Sequence, residues 1–274
     1  MKTLNLFFGA LFFSILSQAK PTFTKVMMVV LENTNYAKAL EQPFLLGLSK
    51  NGALLENMSA ETHPSQGNYI AMIAGDTLGV KNDNNIDLIS QHIGDLLEAK
   101  GLTWKIYAED YPGNCFLGAT SGRYARKHVA FLSFKNVTSN AARCKNIVNS
   151  TQLDMDIKNN TLPNYSIYIP NLMNDGHNTG VSFADAYMSK KFGALLLNQK
   201  FMDQMLFIVT FDESQSKTNN QIYTALYGSD VVTGGTSKKP YSHYSILKTI
   251  EFTWNLGDLN QNDKSADVLS DVLK

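Results

Sequence analysis

Two uninterrupted apolar runs limit the architectures open to this chain: Lys25–Leu31, KVMMVVL, and Met205–Phe211, MLFIVTF. Both are rich in strand-favouring residues, and neither alternates polar with apolar positions. A run of that kind is buried on both faces, as strands of a parallel sheet are. Each stops at acid or amide side chains, Glu32-Asn33 after the first and Asp212-Glu213 after the second. In open α/β sheets, ligands bind just beyond the carboxyl ends of the strands. Two such doublets can therefore converge on one cation. Their oxygen donors suit a hard divalent ion, Ca²⁺, Mg²⁺ or Mn²⁺, better than a Cys/His zinc site would.

The rest of the chain alternates in the same sense. Helices are expected over Pro43–Lys50, with Pro at its start and Gly52 past its end, and over Asn68–Ala74, Leu88–Lys100, Phe183–Asn198 and Tyr244–Leu256. Further strands are expected at Ala53–Ser59, Thr103–Ala108, Tyr165–Ile169 and Ile222–Tyr227. Strands alternating with helices predict one α/β domain over residues 20–274, with a mainly parallel sheet covered on both faces. Residues 111–161 show little periodicity and hold both cysteines, Cys115 and Cys144. They are expected to form an insertion or cap held by a disulfide. Such a bond closes a loop of about 30 residues, worth roughly 3–4 kcal/mol on a chain-entropy model.

Residues 1–19 have the pattern of a secretory signal peptide: Met1-Lys2, an apolar Leu4–Leu16, and Ser17-Gln18-Ala19 as a small-residue cleavage site. No segment is long and apolar enough to span a bilayer, which takes about 20 residues. A secreted or lumenal protein is expected, in a compartment that favours pairing the cysteines. Sequons at Asn57, Asn136, Asn149, Asn159 and Asn164 make glycosylation possible there. The formal net charge is zero and no basic run occurs, so no nucleic-acid partner is expected. Oligomeric state is not legible.

Four constellations carry candidate chemistry. In THPSQGNYIAMIAG (Thr62–Gly75), Ser65 stands at a helix mouth with Asn68 three residues on. A metal-activated serine is a nucleophile for phosphorus, and helix-start amides and the Asn68 amide can donate to phosphate oxygens. IPNLMNDGHN (Ile169–Asn178) presents Asp175 and His177 after a strand, and His177 is suited to protonating a leaving alkoxide. His243, ahead of the closing helix, is placed to reach the same face. His63 is placed to bind phosphate or orient its loop, and His92 reads as structural; Arg123, Arg126 and His128 of GRYARKH read as a solvated basic face, with contact to an anionic substrate as the alternative.

Taken together, E-N-x-x-Y after the first strand, T-H-P-S-x-x-N-Y, N-D-G-H, T-F-D-E and H-Y-S resemble the phosphoesterase family. That family includes secreted acid phosphatases and phosphatidylcholine-type phospholipases C. Five motifs in the expected order cover nearly all of the mature chain. The resemblance implies a three-layer α/β/α sandwich of the alkaline phosphatase type and a small phosphate-ester substrate. It implies that Glu32, Asn33, Asp212 and Glu213 hold a metal, with Ser65 as the remaining ligand and nucleophile. Asn68 would bind phosphate, and Asp175, His177 and His243 would complete the pocket. Asp212-Glu213 stands where two-zinc relatives carry Asp-His, so a single divalent ion is expected. An acid phosphatase working through a phosphoseryl intermediate is the expected function. Phospholipase C and an inactive binding protein on the same fold are the alternatives.

Overall fold

The computed structural model describes residues 20–274, so the signal peptide expected at residues 1–19 lies outside the described residues. In chain order the strands are β1 (Lys25–Leu31), β2 (Ala53–Leu55), β3 (Met58–Ser59), β4 (Trp104–Ala108), β5 (Thr120–Ser121) and β6 (Tyr124–Ala125). They continue with β7 (Ile147–Asn149), β8 (Tyr165–Ile169), β9 (Met205–Phe211), β10 (Thr224–Tyr227), β11 (Gly235–Ser237) and β12 (Tyr241–Ser242). Eight form one sheet in the order β11-β2-β10-β9-β1-β8-β4-β7, and β3/β12 and β5/β6 form small ribbons. The run β9-β1-β8-β4-β7 is parallel throughout, and β10 alone runs against its neighbours β9 and β2.

The apolar runs sit at the centre of this sheet. β8 and β9 are buried at every position and β1 at every one but Lys25. Full burial of each Val, Leu or Ile there is worth about 1.5–3 kcal/mol. Helices Ser65–Ala74, Ile93–Ala99 and His243–Trp254 pack in one group, and Pro43–Asn51, Val181–Leu196 and Gln199–Met202 in another. The result is the three-layer α/β/α arrangement.

Several boundaries differ from those expected, each for a local reason. Ala53–Ser59 breaks into β2 and β3, because β2 pairs in the main sheet while β3 leaves it to pair with β12. The helix expected from Leu88 begins only at Ile93. Leu88 spends its backbone on Ser133 and Lys135 instead, and His92 caps the helix by accepting the Gly94 N–H at 3.0 Å. Burial pushes the His92 imidazole down to about 4, which keeps that nitrogen free to accept. Within residues 111–161, Cys115 and Cys144 are joined, and Ile147–Asn149 adds β7 to the sheet edge beside β4.

Candidate active site

The sheet register brings the doublets together. β1 and β9 pair residue for residue up to Leu31 and Phe211, so Glu32 and Asp212 leave the sheet side by side. The backbone carries the alignment one step further. Asp212 N donates to Leu31 O at 3.0 Å, and Glu32 N donates to Asp175 O at 2.9 Å. The ends of β9 and β1 and the loop after β8 are thereby laced into one floor.

Ser65 opens the helix Ser65–Ala74, which is buried at all its positions and ends at Gly75 in the left-handed region. Ser65 and Tyr69, one turn apart, share a face. Ser65 Oγ donates to Glu32 Oε2 at 3.2 Å, and Tyr69 Oη donates to Glu32 Oε1 at 2.9 Å. His128 stacks on Tyr69 with ring centroids 4.9 Å apart, and its Nε2 lies 3.1 Å from Glu32 Oε1. Glu32 thus accepts two side-chain hydrogen bonds, with the His128 ring packed beside it.

Asp212 has no such support. It is fully buried, and neither carboxylate oxygen accepts a well-formed hydrogen bond among the described residues. Burial and then the charges of Glu32 and Glu213 push its pKa well above the usual carboxylate range, and the nearby Ser65 hydroxyl offsets part of this. Glu213 is also pushed up, by burial, although Asn33 Nδ2 donates to its Oε1 at 2.6 Å and His63 Nδ1 lies 2.6 Å from its Oε2. Asp175 accepts His177 N on Oδ1 at 2.8 Å, while its Oδ2 lies 3.6 Å from His128 Nδ1. Burial and Glu32 push Asp175 up to about 8.

The expected residues divide as follows. Glu32, Asn33, Ser65, Asp212, Glu213 and Asp175 come together, with His63 on the rim. Asn68 is buried and turned onto the backbone: Oδ1 accepts Glu61 N at 2.9 Å and Thr62 N at 3.0 Å, and Nδ2 donates to Thr62 O at 2.9 Å. It pins the loop before Ser65, with one N–H left. His177 is exposed, with Nδ1 2.7 Å from Asn178 Oδ1. His243 is buried beneath β9, Nε2 3.1 Å from Phe211 O, and burial pushes it down to about 4.

Two residues near Glu32 were not read as part of the site. Tyr69 was legible in principle, since it lies one turn beyond Ser65. His128 is expected with Arg123 and Arg126 on a solvated face or against an anionic substrate; of the three only Arg123 is exposed. Arg126 is buried and donates to Leu132 O at 2.6 Å, and His128 is buried against Glu32. Nothing in the local spacing marks this, because the turn Arg126–His128 reaches the site only through the tertiary fold.

Whether these residues suit a cation can be judged from their chemistry. A buried carboxylate without a partner costs several kcal/mol unless it takes a proton or a counter-ion. Asp212 Oδ1 and Oδ2 and Asn33 Oδ1 lack a hydrogen bond among the described residues, Glu213 Oε2 faces only His63, and all are hard oxygen donors. No three His, Cys, Asp or Glu side chains among the described residues already close on one point. A ligand set here therefore draws on Asn33 and Ser65 as well as on the carboxylates, and that set fits a hard divalent ion.

The site thus sets a serine at a helix mouth over acidic strand ends, on a three-layer sheet. The phosphoesterase family profile matches residues 17–257, and the chain belongs to the phosphoesterase family. It is 35% identical to a "Probable acid phosphatase" from Kluyveromyces lactis, over 91% of this chain and 62% of that one. The chain thus spans about three-fifths of the length of that relative. It is also 34% identical to a phosphatidylinositol-3-phosphatase from Mycobacterium tuberculosis, over 88% of this chain and 80% of that one. A solved alkaline phosphatase superfamily protein from Vibrio parahaemolyticus shares the fold, with a TM-score of 0.59, 13% identity, and coverage of 89% of this chain and 70% of that one.

Proposed function

We propose that this chain is a secreted, metal-dependent phosphomonoesterase of the acid phosphatase type. The observation that carries the reading is Ser65 Oγ, 3.2 Å from Glu32 at a helix amino end, beside the unsupported Asp212. A divalent ion held by Glu32, Asn33, Ser65, Asp212 and Glu213 would neutralise the carboxylates and lower the pKa of the serine hydroxyl. Ser65 Oγ gives its proton to Glu32 and attacks phosphorus in line; the bond from phosphorus to the ester oxygen breaks, and a phosphoseryl enzyme remains. Glu32 orients the hydroxyl, and Tyr69 holds Glu32 by a hydrogen bond, with His128 packed beside it. The helix dipole favours the phosphate charge beside Ser65. His177, on the exposed loop, is the candidate to protonate the leaving oxygen and later to activate water. Ser65→Ala abolishes turnover of a chromogenic aryl phosphate with the fold intact; wild-type activity in that variant would refute the assignment.

The mycobacterial relative favours one second reading, a phosphorylated lipid head group as substrate. Hydrolysis of phosphatidylinositol 3-phosphate in vesicles, compared with aryl phosphate, separates the two. Secretion fits the joined cysteines and the absence of any described helix long and apolar enough to cross a membrane. Among the sequons, Asn159 is exposed and is the proposed glycan site, while the Asn57 side chain donates to Lys238 O. Asn136 is engaged with His92 and Asp95, and Asn164 with Thr103 and Thr24.

A further inference from the structure

The site as described gathers negative charge, yet its substrate is itself an anion. Glu32, Asp212, Glu213 and Asp175 are all carboxyl groups. We propose that Lys127 binds the substrate's phosphate oxygens at the mouth of the site and that Asp83 positions it there. The inference rests on the phosphoesterase reading above and adds a residue which that reading does not use.

Lys127 lies between two anchored neighbours. Arg126 donates to the carbonyls of Leu117 at 3.0 Å and Leu132 at 2.6 Å, and His128 packs against Glu32 and Tyr69. The turn cannot shift without disturbing the floor of the site. The Lys127 side chain remains 20% exposed, so a ligand in solvent can reach it. Its charge interacts with those of Glu32, Asp212 and Asp175. Arg126 is not equivalent, because its guanidinium is spent on carbonyls.

The partner of Lys127 is informative. Nζ donates to Asp83 Oδ2 at 2.8 Å, and Asp83 Oδ1 accepts the backbone N–H of Gln66 at 3.1 Å. One carboxylate therefore bridges the ammonium and the amide immediately after the nucleophile. Nζ has two N–H groups beyond the one given to Asp83, so it can donate to a phosphate oxygen while Asp83 still holds it. Gln66 is itself buried, 2% exposed, and its side-chain Nε2 has no acceptor among the described residues. The segment next to Ser65 thus keeps a donor that the protein leaves unused. The ligand class is a phosphate monoester dianion or free phosphate.

Inorganic phosphate titrated calorimetrically into the full chain tests this, with KM and kcat for an aryl phosphate measured alongside. Lys127→Met should weaken phosphate binding by about 10- to 100-fold, the range expected for one charge-assisted contact. KM should rise more than kcat falls, and binding should become less sensitive to salt. Lys127→Arg should recover most of the affinity. Asp83→Asn should have a smaller effect than Lys127→Met, because the cation stays while its tether is lost. Wild-type affinity in Lys127→Met overturns the proposal, as does an equal loss in Asp83→Asn, which would mark a purely structural pair. No phosphate binding by the wild type also overturns it. If Lys127→Met does not fold, Lys127→Gln is read by the same criteria. Should the wild type bind phosphate but not hydrolyse the ester, the functional reading fails while the titration still judges Lys127.

Discussion

Asp156 and Asp212 are both buried carboxylates on the same scaffold, and the protein treats them in opposite ways. Asp156 accepts Lys105 Nζ at 2.5 Å, Tyr107 Oη at 2.7 Å, Gln152 Nε2 at 3.0 Å and Thr161 Oγ1 at 3.0 Å. Burial pushes its pKa up, but those four donors more than offset burial and leave it lowered. Asp212 is surrounded by other acids, has no well-formed hydrogen bond among the described residues, and is pushed strongly upward. The first carboxylate completes its network within the protein. The second is complete only with something added, a proton or a cation. A satisfied buried acid thus reads as architecture, and an unsatisfied one beside a nucleophile reads as a site.

Substitution separates the two most sharply. Asp212→Asn should lower turnover of an aryl phosphate by at least about a thousand-fold, as loss of a group acting on the reacting atoms does. The same change should leave metal-free thermal stability unchanged or raised, because it removes an unpaired buried charge. Asp156→Ala should do the reverse, costing about 2–4 kcal/mol of stability and leaving kcat/KM near wild type. Paired melting curves and kinetics check both; equal stability losses in the two variants would erase the distinction.

Divalent cations give the next effect. A cation bound to the native site alone at a hundred times its Kd adds about 2.7 kcal/mol of stability. Calorimetric melting with and without chelator should show that gain in the wild type and in Asp156→Ala. It should disappear in Asp212→Asn.

The smallest effect, taken per pH unit, is a slope in stability. Asp175 is protonated below about 8 in the folded chain, against about 4 when unfolded. The folded state therefore binds the extra proton, and stability falls as pH rises from about 4 to 8. The slope is at most about 1.4 kcal/mol per pH unit. Asp175→Asn should flatten that fall in metal-free protein. Asp156, with its pKa lowered, acts in the other sense: its stabilisation is present above the usual carboxylate pKa and is lost below it. Thermal midpoints across a pH series check both signs.

What the sequence revealed follows from how local each signal is. β1, β8 and β9 run over the residues expected of them, because continuous apolar runs dictate a strand buried on both faces. Glu32, Asp212 and Ser65 were visible because each follows such a run or opens a helix. His128 was not, since it is distant in sequence from everything it touches and lies in an aperiodic turn. The Asn68 amide was expected to face a phosphate, but the cheaper demand was local, to satisfy the Glu61 and Thr62 amides. Leu88 failed as a helix residue for a similar reason, as tertiary pairing with Ser133 and Lys135 outweighed its helical spacing.

The central claim is that Ser65, set against unsatisfied carboxylates, takes the phosphoryl group. Acid-quenching the enzyme during turnover of a phosphate monoester and mapping phosphopeptides by mass spectrometry tests it most directly. The account predicts one phosphorylated peptide, with the phosphate on Ser65, appearing at the rate of product release and absent from Ser65→Ala. Full turnover with no phosphate on Ser65, or with phosphate on another side chain, would contradict it.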